Sequence, residues 1–153
     1  ICQVRQNKIW EKPVESTLAV NCKLNFSQCP KSEKDKAKMR RVPTAEALGT
    51  LMYVMVCTRP NIAFVVGTFS QYMSNLGKEH WTTVKWIFRY LKGTSSVCLR
   101  HDYGKPMLEG FIDSDMSGDV DSNRSTSGYV MTYAGGAVSW QSRLQKTVSL
   151  STT

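Results

Sequence analysis

Apolar positions recur along this chain with two different periods, and the change falls near Gly93. Leu48, Leu51, Met52 and Met55 recur at helical spacing and predict a helix over 45–57, with Thr44 as its N-cap. Thr58 stands as the cap of a second helix over 59–74, with Pro60 in its first turn and a stripe of Ile62, Val65, Val66, Phe69, Tyr72 and Met73. A turn through Asn75 and Gly77 leads to a third helix over 78–92. One face of it holds His80, Trp81, Val84, Ile87, Phe88 and Leu91, and Gly93 is placed at C′. The three helices are expected to pack on one another.

Beyond Gly93 the period becomes two. Ser95 to Arg100 is a short strand candidate, and residues 102–106 read as a turn. A strand over 107–113 puts Leu108, Gly110 and Ile112 on one face. A polar loop over 114–127 follows, then a strand over 128–134. Gly135-Gly136 is a hairpin signal, and Ala137 to Gln141 supplies the next strand. Helices followed by an antiparallel meander indicate an α+β fold, in one domain or in two subdomains joined near Gly93.

Residues 1–43 are polar and interrupted by Pro13, Pro30 and Pro43. The run from Lys31 to Arg41 has only Ala37 and Met39 as an apolar face and reads as a surface segment or linker. Ser149 or Ser151 looks like the N-cap of a further helix. A start at Ile1 and an end at Ser-Thr-Thr suggest a piece of something longer, and a meander with one bare face needs a helix to cover it.

Composition narrows the class. Apolar content of 41% suits a globular chain, no run approaches the roughly 20 apolar residues of a membrane span, and no signal-peptide core opens the sequence. An intracellular, soluble protein is expected. Cys2, Cys22, Cys29, Cys57 and Cys98 lack Cys-x-x-Cys spacing and read as reduced thiols.

The net charge of +8 divides as +6 over residues 1–43, +3 over 44–92 and −1 over 93–153. A basic region before an acidic one suits a nucleic-acid track leading to a metal site, with a merely solvated surface as the alternative.

Candidate chemistry gathers at Asp113, Asp115, Asp119 and Asp121. Four carboxylates so close repel unless something screens them. Asp113, at a strand end, is the best placed as a metal ligand. Asp115 is read as pointing to the other side of the strand, with a supporting role at most. The same stretch resembles a calcium loop, with oxygen ligands at positions 1, 3, 5, 7 and 9 and Gly118 at position 6, although Arg124 occupies position 12. His80 reads as a packed or capping residue, His101 as a loop residue with no nucleophile to serve, and Trp81 and Trp86 as core.

Several motifs in fixed order closely resemble one family: Val56-Cys-Thr-Arg-Pro-Asn-Ile-Ala63, Gly77-Lys-Glu-His-Trp81, Val84-Lys-Trp-Ile-Phe-Arg-Tyr-Leu-Lys-Gly-Thr94, the stretch from Gly110 to Gly128, and Val138-Ser-Trp-Gln-Ser142. They are similar to the Pol polyprotein of plant copia-type LTR retrotransposons, from about Lys12 to Thr153. The resemblance implies an irregular basic segment at 1–43 and a three-helix thumb/connection segment of a reverse transcriptase at 44–93. At 94–153 it implies the first three antiparallel strands of an incomplete ribonuclease H-like domain. In that family Asp113 would be the first catalytic carboxylate, a ligand of magnesium, with Asp115 as a possible helper.

The implied parent copies RNA into DNA and hydrolyses the RNA strand of RNA/DNA hybrids by two-metal catalysis. Its partners would be the hybrid and the rest of the Pol polyprotein, in a cytoplasmic virus-like particle or the nucleus, with no membrane. Asn61, Leu76 and Ser117 depart from the family's usual Asp, Pro and Ala. The family continues past Ser-Thr-Thr with Glu-Ala-Glu-Tyr, whose first Glu is the second catalytic acid. The fragment is therefore expected to be inactive. A non-catalytic basic nucleic-acid-binding module is the alternative, with Arg40, Arg41, Lys85, Arg89, Arg124, Ser125 and Thr126 among its phosphate contacts. The calcium loop is a further alternative.

Overall fold

The computed structural model describes residues 14–17, 24–101, 105–115 and 117–148. The candidate cap at Ser149 or Ser151, most of the turn at 102–106, and Cys2 and Cys22 lie outside the described residues. Among the described residues four α-helices precede three strands: α1 (Glu33–Met39), α2 (Thr44–Cys57), α3 (Ala63–Ser70), α4 (Lys78–Gly93), β1 (Leu108–Ser114), β2 (Thr126–Tyr133) and β3 (Gly136–Leu144). The α+β order read from the periodicity holds.

The charged run forms α1, a helix with no buried residue, capped by Ser32, whose side chain accepts from the Lys34 N–H. The core lies between α2, α3 and α4. Ala47, Leu48 and Leu51 meet Val65, Val66 and Phe69, and Val84, Ile87 and Phe88 close over them, all buried. Leu24, Ile62, Tyr72, Leu76 and Tyr90 complete the cluster. Leu76, where a turn-setting proline was expected, is thus a core residue.

The helix ends differ from the sequence reading. Pro43 occupies the N-cap of α2 and Thr44 is its first helical residue. Thr58 caps the C-terminus of α2, its N–H 3.0 Å from the Val54 carbonyl oxygen, rather than starting the next helix. The predicted helix over 59–74 divides into a 3-10 turn at Pro60–Ile62, then α3, then another 3-10 turn at Met73–Asn75. At the end of α3 the backbone turns to i→i−3 bonds, Gln71 N–H to the Thr68 carbonyl and Tyr72 N–H to that of Phe69, and side-chain hydroxyls bond back to the same helix. Thr68 Oγ1 donates to the Phe64 carbonyl at 2.9 Å and Ser70 Oγ to that of Gly67 at 2.6 Å, and both bonds compete for helix acceptors. Gly93 lies within α4, and Thr94 is the C-cap. Asn61 does not cap its own turn, because its side-chain amide reaches the Tyr90 hydroxyl on α4.

His80 is fully buried and stacks on Tyr72 with centroids 4.6 Å apart. Its Nδ1 accepts the Gly77 N–H at 3.1 Å, which caps α4 as the sequence suggested. A side chain at 77 would run into the Gln28 carbonyl, so glycine is required there. With Nδ1 accepting, the neutral ring carries its proton on Nε2, which is buried without a hydrogen-bond partner. The Asn25 carbonyl, Asp121 and Glu79 favour the cation, but burial outweighs them and holds the pKa below its ordinary 6.5.

A base with a lowered folded-state pKa favours the neutral native state. Its stabilising contribution is complete above pH 6.5 and is lost as pH falls below that value. Urea midpoints are therefore expected to drop between pH 7.5 and 5.5, with a shallower drop in His80→Gln. Equal slopes in the two proteins would contradict this role.

The strands form one antiparallel sheet in the order β1-β2-β3. The hairpin turn is Ala134-Gly135, with φ 49° and 78°, one residue earlier than expected, and Gly136 pairs with Tyr133. Ser95–Arg100 is not a strand. It passes beside Gly136, where the Arg100 carbonyl and the His101 ring leave no room for a Cβ, and joins no ladder.

The sheet rests on the helical body through β3. The Trp140 indole N–H donates to the Met55 carbonyl at 3.0 Å, and the α3 backbone at Gly67 approaches the Ser142 carbonyl. A 390 Å³ cavity lined by Met52, Met55, Val66 and Trp140 remains at this junction. Every residue of β1 is exposed, Ile112 by 86% and Phe111 by 60%, so the bare sheet surface expected from the sequence is centred there.

Candidate functional site

Asp113 pairs across the ladder with Gly128, one residue before the end of β1, and its side chain is exposed. The register puts it on the same face as Glu109 and Phe111. Its carboxylate has no hydrogen-bond partner among the described residues. The rest of the acidic stretch behaves differently.

Asp115 lies beyond the end of β1, and its carboxylate accepts the Thr126 N–H. Residues two apart in a strand share a face, so the expectation that Asp115 points to the opposite side of a strand from Asp113 is corrected. What separates them is the end of the strand. A Cβ at Gly118 would overlap the Asp115 carboxylate, so any side chain there would displace that carboxylate. Asp119 accepts from the Ser122 N–H at 2.9 Å and the Ser122 hydroxyl at 2.5 Å. Asp121 Oδ2 accepts the Phe26 N–H and the Tyr72 hydroxyl, each at 2.8 Å. Tyr72 is 1% exposed, and its one hydroxyl proton is shared between Asp121 and the Leu24 carbonyl, 3.1 Å away.

Each of these three carboxylates thus holds a different part of the loop. No group of three His, Cys, Asp or Glu side chains able to hold a metal occurs among the described residues. The calcium-loop reading fails on this geometry: its ligands diverge, and a strand rather than a helix leads in. The described donors do not fit a pair of magnesium ions either, since that site needs several carboxylates around one centre.

The basic candidates are spread over separate elements. Arg40 is the C-cap of α1, and Arg41 follows it, both exposed. Lys85 and Arg89 are half-buried on α4, and the Arg89 guanidinium lies 5.1 Å from the centre of the Trp86 ring. Trp86 is therefore not core: its indole N–H donates to the Ser16 carbonyl at 3.0 Å, while Trp81 packs against the core. Arg124 makes no ion pair with Asp119 or Asp121 among the described residues, its Nε is buried without a partner, and its carbonyl accepts the Asp119 N–H at 3.1 Å.

Ser125 is 3% exposed, and its hydroxyl accepts the Ser117 N–H at 3.2 Å. Ser117 needs that support, with φ at 54°. Thr126 opens β2. The contacts of Phe26 and Tyr72 with Asp121 span 95 and 49 residues, and no spacing signal in the sequence announces them. Cys29, Cys57 and Cys98 are free thiols. No helix among the described residues is long and apolar enough to cross a membrane.

A helical body bearing a three-stranded antiparallel sheet, with an exposed acid near the end of the first strand, defines an α+β protein of mixed layers. Over 142 residues, 93% of its length, the chain is 52% identical to the retrovirus-related Pol polyprotein from transposon TNT 1-94 of Nicotiana tabacum, covering 11% of that protein. It is 33% identical over 150 residues, 97% of its length, to the Pol polyprotein from transposon RE2 of Arabidopsis thaliana, covering 10% of it. A third relative is the secreted RxLR effector protein 161 of Plasmopara viticola, 46% identical over 116 residues, 75% of this chain and 82% of the effector. No family model and no solved structure matches. The chain belongs to the Pol polyprotein family of copia-type retrotransposons, and it spans about a tenth of the length of the Pol polyproteins it matches.

Proposed function

We propose that the chain is the stretch of a Pol polyprotein that joins the end of a reverse transcriptase to the start of a ribonuclease H domain, and that it is catalytically silent by itself. The parent would copy RNA into DNA and cleave the RNA strand of the resulting hybrid, in a cytoplasmic particle or the nucleus. The α2–α4 body then corresponds to the thumb and connection, and β1–β3 to the opening strands of the nuclease. Asp113 is the acid left for the parent's metal centre.

One observation carries the silent reading. Asp115, Asp119 and Asp121 are taken up by Thr126, Ser122, and Phe26 with Tyr72, so Asp113 stands alone. A hybrid with a labelled RNA strand, incubated with the pure chain and magnesium, is expected to stay intact. Cleavage that disappears in Asp113→Asn would overturn this.

A second reading, a basic module that holds the hybrid without cutting it, is favoured by the ten Lys and Arg against four Asp and Glu in residues 1–43. Phosphate contacts release counterions, so affinity would fall steeply with salt, log K dropping by about 0.9 per phosphate neutralised for each unit of log salt. Binding that ignores salt would count against this reading.

A further inference from the structure

A shallow cleft of about 220 Å³ opens between α1, the start of α2 and the turn at Met73–Asn75. Lys36 on α1 and Arg40, its C-cap four residues later, both line it. Thr44, Ser74 and Asn75, whose side chains can donate hydrogen bonds, line it as well, and Pro30, Met39, Met73 and Leu76 supply the apolar part of its wall. The surrounding run 31–41 carries six cations and two acids. The two acids lie on α1 itself: Glu33 is paired with Lys36 at 2.8 Å, and Asp35 is 3.8 Å from Lys38. Arg40 makes no ion pair among the described residues. Its planar fork, a second cation and three neutral donors around a cleft of this size match the tetrahedral, multiply accepting shape of a phosphoryl group.

We propose that this cleft binds a phosphoryl group, with Arg40 as its principal ligand and Lys36 released from Glu33 to serve as the second. The proposal deepens the nucleic-acid reading by naming a site for it. The group itself could be a backbone phosphate of a nucleic acid or a free phosphate.

Titration of the full chain with inorganic phosphate, followed through the amide signals of Thr44, Ser74 and Asn75, separates the possibilities. Saturable movement of all three is expected. Loss of the charge-assisted fork in Arg40→Gln is expected to weaken it about tenfold, while Lys38→Gln leaves it unchanged. Linear or absent movement, or equal binding by Arg40→Gln, overturns the site. A second titration with an RNA/DNA hybrid identifies the source. Movement of the same amides assigns the group to a nucleic-acid backbone. Phosphate binding with no hybrid binding leaves the cleft standing for a free phosphate and removes the nucleic-acid reading. Hybrid binding that bypasses these amides and ignores Arg40→Gln removes the cleft and leaves that reading in place.

Discussion

Phe69→Ala is expected to cost about 3–5 kcal/mol of folding stability, a large share of the roughly 5–15 kcal/mol that holds a domain together. The side chain is fully buried on α3 among Leu51, Val66 and Tyr72. Its removal leaves a cavity where α2, α3 and α4 converge. Because α3 also supports β3 at Gly67, the sheet should lose its footing in the same transition. Phe64→Ala is the control, since Phe64 is 46% exposed on the same helix and its truncation is expected to cost under about 1 kcal/mol. Urea unfolding followed by tryptophan fluorescence reports both variants. Equal costs would mean that the inward face of α3 is wrongly assigned.

Tyr72→Phe is expected to cost about 1.5–3 kcal/mol, because it deletes a buried donor to a charged acceptor. The hydroxyl bonds the Asp121 carboxylate at 2.8 Å and the Leu24 carbonyl at 3.1 Å, so one atom ties three distant segments together. Burial, reinforced by the bond to Asp121, pushes the phenol well above its ordinary 10. An acid with a raised folded-state pKa stabilises the protein below its unfolded value, and that contribution is lost as pH climbs past 10. The variant should lose this alkaline sensitivity together with amide-exchange protection at residues 117–125. A loop that keeps its protection in Tyr72→Phe would show that Asp121 is held by Phe26 alone.

Much of the helical body was legible in the sequence because the α4 stripe of Val84, Ile87 and Phe88 repeats at helical spacing, and burial follows that repeat. The meander was legible for the corresponding reason at period two. Local geometry hid the ends: α3 tightens to i→i−3 bonds at Gln71 and Tyr72, and the positive φ at Ala134 moves the hairpin turn off the Gly-Gly pair. The candidate site was legible only as a list of acids. Whether four nearby carboxylates converge or diverge depends on partners such as Tyr72 and Phe26, which lie far away in sequence and have no periodic relation to the loop. Trp86 looked like core because its stripe position is ambiguous, and the Ser16 carbonyl draws it to the surface.

The central claim is that Asp115, Asp119 and Asp121 hold a loop, and that they share no cation with Asp113. Paramagnetic broadening by manganese, a stand-in for both magnesium and calcium, tests it most directly in the amide spectrum of the intact chain. The account predicts weak, unsaturable broadening confined to the neighbourhood of exposed Asp113, with Asp115, Asp119 and Asp121 unchanged and their partners Thr126, Ser122 and Phe26 still protected. Joint, saturable broadening of all four acidic positions at submillimolar manganese would contradict it, and would mean that the carboxylates leave their hydrogen bonds to gather around an ion.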